Sequence, residues 1–145
     1  MRTYVHIDFS AGGFVLADGR LEHVKVGDKT ISSAGAVRSD GWWIVSVMLS
    51  EPVLVQEECT MRVQIQTNAG YCVASLFPLG KDAALLRLDP VSREGSWTTV
   101  QTWAAKAGTA LQAGDRINQV SIGVPAQGSE PPQLLVRAIE LKTSR

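Results

Sequence analysis

The sequence carries no surplus charge of either sign. Fourteen basic residues balance fourteen acidic ones, for a formal charge of zero, and the basic residues are scattered rather than clustered. Neither nucleic acid nor an anionic membrane is therefore indicated as a partner, since both are recruited by a positive field or patch. Long hydrophobic runs are missing as well: nowhere do about 18 apolar residues follow one another, as a spanning helix requires. The opening residues Met1 to Phe9 also lack the apolar run of a signal peptide. The expectation is a soluble chain, or a domain belonging to a larger secreted or virion-associated protein whose targeting segment lies elsewhere.

Cysteine and histidine are scarce, with two of each. The turn signal Thr67-Asn68-Ala69-Gly70 predicts a hairpin that sets Cys72 opposite roughly Gln66, leaving Cys59 on the order of 23 Å further along. A disulfide needs Cα atoms within about 7 Å, so two free, mostly buried thiols are expected. His6 and Asp8 share one side of a strand and His23 lies one strand later. There is no His-x-His, and a metal centre wants three or four ligands, so no cofactor is expected. A structural calcium held by loop oxygens, such as those of Asp8, Asp40 or Asp89, is left open because backbone carbonyls supply much of that shell and leave no motif.

Signatures of catalysis are absent too. There is no Gly-x-Ser-x-Gly elbow and no triad order, and neither Gly12-Gly13 nor Gly108-Thr109 resembles a phosphate-cradling loop. Nothing singles out Asp8, Asp40, Glu94 or Glu140 as the close carboxylate pair of a glycosidase. The chain is not expected to be an enzyme.

What the sequence does contain is strand after short strand. With 145 residues, 45% of them hydrophobic and 19% charged, it reads as one globular domain over residues 1–145. The strongest strand follows Asp40-Gly41. Trp43, Val45, Val47 and Leu49 fall on one face of it, and Trp42, Ile44, Ser46 and Met48 on the other, until Glu51-Pro52 stops it. Tyr4 to Phe9 alternates, Phe14 to Ala17 and Leu21 to Val26 read as short strands, and Lys29 to Ser39 as weak strand plus loop. Val53 to Glu58 reads as a loop. Thr60 to Thr67 turns Met61, Val63 and Ile65 inward and Arg62, Gln64 and Gln66 outward. Tyr71 to Phe77, Ala83 to Leu88, Ser96 to Trp103, Ile117 to Val124 and Leu134 to Leu141 complete the series. No convincing helix of ten residues and no fixed repeat appears. The prediction is an all-β, antiparallel two-sheet β-sandwich, jelly-roll-like.

Two segments carry a family resemblance. Ser39-Asp40-Gly41-Trp42-Trp43-Ile44-Val45-Ser46-Val47 is similar to the acidic-Gly turn, Trp, aromatic and β-branched run of carbohydrate-binding-module-like jelly rolls, found beside glycoside-active enzymes and in phage tail appendages. Ile44 stands where such domains often have arginine. The second is the pair Asn118 to Gly123 and Leu134 to Leu141, which resembles their last two strands. The resemblance implies a jelly-roll fold and a lectin-like binding module.

Sugar recognition needs flat aromatic faces for the CH-rich side of a pyranose and polar groups for its hydroxyls. Trp42, Trp97 and Trp103 are candidates for stacking, and Arg62, Gln64, Gln66 and Gln101 for hydrogen bonding. Trp97 and Trp103 are an even number of residues apart, so on one unbroken strand they share a side with Thr99 and Gln101. Against this, four tryptophans in a sandwich of this size can all be core. The expectation is a non-catalytic glycan-binding module using the face opposite Trp43. The alternative is a structural or assembly sandwich of a phage tail or cell-surface complex, working through protein contacts as a homo-oligomer or within a multidomain parent.

Overall fold

The computed structural model of the chain describes residues 2–8, 19–22, 24–26, 31–33, 42–67, 71–88, 98–104, 111–125 and 134–144. These form two antiparallel sheets and, among the described residues, no helix. The strands are β1 (Tyr4–Asp8), β2 (Gly19–Glu22), β3 (Val24–Val26), β4 (Ile31–Ser33), β5 (Trp43–Leu54), β6 (Glu58–Thr67), β7 (Cys72–Pro78), β8 (Ala84–Leu88), β9 (Thr98–Ala104), β10 (Arg116–Val124) and β11 (Leu134–Ser144). One sheet has the order β3-β4-β11-β6-β9, with β1 also pairing β11, and the other β2-β5-β10-β7-β8. The fold is the expected two-sheet β-sandwich.

Alternation explains the core. From the first sheet Val5, Ile7, Met61, Val63, Ile65, Val136, Ile139 and Leu141 point inward. From the second come Val45, Val47, Leu49, Ala74, Leu76, Val120, Ile122 and Val124, all buried. Strands that bury every second residue stabilise the sandwich by about 25 cal/mol for each Å² of apolar surface taken from water. Trp43 packs against this core from its edge and stays half-buried.

Three expectations are corrected. β6 and β7 do not form a hairpin: β6 pairs with β11 and β9, and β7 with β10 and β8, so the two strands belong to different sheets. Cys59 and Cys72 are nonetheless buried and joined by no disulfide, as expected. The segment Leu21 to Val26 is two strands rather than one, because β2 joins β5 whereas β3 joins β4 in the opposite sheet.

Nor does Pro52 stop β5, which continues to Leu54. Its pairing with β10 jumps from Gln119↔Met48 to Ile117↔Val53. Pro52 thus sits in an irregular stretch where a ladder N–H is not required. The far end of β5 is then held by the Leu54 N–H donating to the Arg2 carbonyl (2.9 Å) and by the Thr143 hydroxyl donating to the Leu54 carbonyl (2.7 Å). The expected strand at Phe14 to Ala17 lies outside the described residues.

Candidate functional site

β10 lies at the centre of its sheet, between β5 and β7, so its outward residues form the middle of a floor. Ser121 is in register with Ser46 on one side and Ser75 on the other. Gly123 is flanked by Ile44 and Val73, and Gln119 by Met48 and Phe77. Over this floor lies a groove of about 480 Å³ lined by Trp42, Ile44, Ser46, Val73, Ser75, Phe77, Ala83, Leu85, Gln119, Ser121 and Gly123. Its volume is that of a small-molecule or oligomer site.

The bottom is polar but already internally satisfied. The Ser46 and Ser121 hydroxyls are 2.9 Å apart and hydrogen-bonded, and the Gln119 side-chain amide donates to Ser121 Oγ at 3.4 Å. Both serines are buried; removing the Ser121 hydroxyl would take this bond from Ser46 at a cost of about 1–3 kcal/mol, whereas Ser121 would keep the Gln119 amide if the Ser46 hydroxyl were lost. Half-buried Ser75 and Gln119 are the more accessible polar groups. Each can both donate and accept.

Trp42 forms the wall at the β5 entrance. It is half-buried and meets Tyr71 edge to face, with ring centroids 6.2 Å apart and planes at 72°. The indole lies close over the sheet because position 123 has no side chain. A Cβ there would stand 3.3 Å from Trp42 Cε3 and 3.2 Å from Ile44 Cγ1.

The candidate residues do not assemble into one site. Trp42 lies in this groove, whereas Arg62, Gln64 and Gln66 lie on the outward side of β6, in the other sheet. The expectation that aromatic and Gln/Arg side chains share the face opposite Trp43 is thereby corrected: β6 belongs to the sheet across the core. Arg62 and Gln64 border a smaller polar pocket with His6, Ala138 and Glu140. There Glu140 accepts from the Tyr4 hydroxyl at 3.0 Å and lies 3.7 Å from Arg62 Nη1. The bond to Glu140 raises the Tyr4 phenol above its ordinary pKa. In β9 the register sets positions 101 and 103 across from Met61 and Cys59. Trp97, His23, Asp40 and Asp89 lie outside the described residues. No cluster of three or more His, Cys, Asp or Glu able to hold a metal ion occurs among the described residues.

Sequence reasoning missed Ser75, Phe77, Leu85, Gln119, Ser121 and Gly123 as groove residues. A signal was present: the adjacent outward positions Ser121 and Gly123 of a central strand are unusually small, and small residues leave a depression.

No protein-family model matches the chain, and no curated protein does. Solved structures do match. The low-affinity xylan-binding module CBM86 of Roseburia intestinalis superposes with a TM-score of 0.59 at 12% identity, covering 97% of this chain and 96% of that one. The carbohydrate recognition domain of Emp47p gives 0.59 at 10% identity, covering 95% and 94%. A family 29 carbohydrate-binding module of Piromyces equi gives 0.57 at 12% identity, covering 97% and 92%. The chain has the jelly-roll-like β-sandwich fold of carbohydrate-binding modules.

Proposed function

We propose that this chain is a non-catalytic binding module that takes a glycan in the Trp42 groove. One observation carries the reading: an indole held against the sheet by a glycine, walling an open groove whose floor offers hydroxyls and an amide. Apolar walls suit the CH faces of sugar rings, and Ser75 and Gln119 suit their hydroxyls. With few oriented hydrogen bonds and shallow burial, binding is weak. The fold shared with carbohydrate-binding modules supports the same reading.

Affinity electrophoresis through gels containing soluble polysaccharides tests it. Wild-type protein is expected to be retarded by at least one polymer, and Trp42→Ala to migrate freely, with affinity reduced about tenfold or more, as for the loss of an anchoring aromatic. Equal retardation of both would remove Trp42 from the site. The assembly reading draws on Leu85, 65% exposed in the same groove, an apolar side chain that a protein partner would also cover. Gel filtration separates the two: a monomer retarded by glycan supports the module, and an oligomer indifferent to every polymer supports assembly.

A further inference from the structure

We infer, resting on the glycan reading of this groove, that its ligand is an uncharged, extended glycan chain that lies across the strands along the row Ser46, Ser121, Ser75. Shape gives the direction. The three serines occupy one register row across β5, β10 and β7, a strip of small side chains about 10 Å long at the usual spacing of about 4.8 Å between strands.

Larger groups stand on both sides of the strip. Ile44, Val73 and the Trp42 indole rise on one side, and Gln119 and Phe77 on the other. The result is a trough running perpendicular to the strands. Leu85, in register with Ser75, stands at its β8 end.

Charge gives the ligand class. Every groove-lining residue named above is uncharged. A carboxylate or sulfate laid in the trough would lose hydration without gaining a cation in the floor or walls, which is unfavourable. Neutral hydroxyls lose far less and meet groups that both donate and accept. The charged groups of the other sheet, His6, Arg62 and Glu140, lie across the core from this groove.

Isothermal titration of the full chain with a neutral soluble β-glucan and its carboxymethylated derivative tests the ligand class. The readout is the Trp42-dependent affinity, the part lost in Trp42→Ala. The neutral chain is expected to bind, and the carboxylated one at least tenfold more weakly, with no gain as salt is lowered. Trp42-dependent binding of the carboxylated chain that equals or exceeds that of the neutral one would overturn the inference and leave the module reading standing. Binding of neither would overturn the inference, and would overturn the module reading as well if no polysaccharide retards the wild-type chain in the gels.

The pose has its own test in variants whose thermal unfolding matches wild type. Ser75→Phe, or the smaller Ser75→Val, plugs the row and is expected to reduce neutral-chain affinity tenfold or severalfold respectively. Met48→Phe, outside the lining, is expected to change it less than twofold. The reverse pattern would overturn the across-strand placement.

Discussion

Position 123 shows how one missing side chain shapes the groove. A methyl group there would press on Ile44 and on the Trp42 ring at 3.2–3.3 Å, and overpacking of this kind costs about 1–3 kcal/mol. Gly123→Ala is expected to lower the unfolding free energy within that range, to shift the tryptophan emission spectrum and to weaken glycan binding severalfold. An unchanged spectrum with full binding would show that Trp42 does not depend on Gly123. Cys59 makes a separate residue-scale case. Burial pushes its thiol from an ordinary value of 9.0 up to about 12. The folded protein therefore holds this proton over a range where the unfolded chain has released it. The associated stability is complete below about pH 9 and is lost as pH rises towards about 12, at up to about 1.4 kcal/mol per pH unit. Urea unfolding at increasing alkaline pH is expected to show a steeper decline for wild type than for Cys59→Ala; parallel declines would contradict the burial argument. Burial of the thiols was legible from the general habit of free cysteine, whereas the hairpin spacing used to argue against a disulfide does not exist, since β6 and β7 belong to different sheets.

Strands were the most legible level of organisation. Alternation in β6 and β10 correctly separated inward from outward residues, because a period of two leaves little freedom once one face is apolar. Ile122, fully buried at the centre of β10 between Ser121 and Gly123, illustrates the division of labour: one face holds the sandwich together and the next residue on either side floors the groove. Ile122→Ala is expected to cost about 2–5 kcal/mol in denaturant titration; a loss under about 1 kcal/mol would place it outside the core. Pairing partners were not legible. Nothing local in Leu21 to Val26 announces that β2 and β3 belong to different sheets, and nothing around Glu51-Pro52 announces that β5 continues through an irregular stretch. Such choices are set by contacts distant in sequence. Trp42, Arg62, Gln64 and Gln66 were grouped for the same reason: outward direction can be read from a strand's own sequence, but the sheet to which the strand belongs cannot.

At the scale of the whole molecule, the sandwich presents two outer faces with different chemistry. One carries an uncharged trough walled by Trp42 and Phe77; the other carries the polar pocket of His6, Arg62, Gln64 and Glu140. With no net charge to steer a ligand, recognition rests on what each face offers at close range, and the trough offers the aromatic wall. A heteronuclear NMR titration with a neutral oligosaccharide reads both faces at once. The expected result is movement of the Trp42 indole, the Gln119 side-chain amide and the Ser75 and Ser121 backbone signals in a single saturating process, with Arg62 and Gln64 unmoved. Shifts confined to Arg62, Gln64 and their neighbours on β6, with the Trp42 indole stationary, would contradict the account.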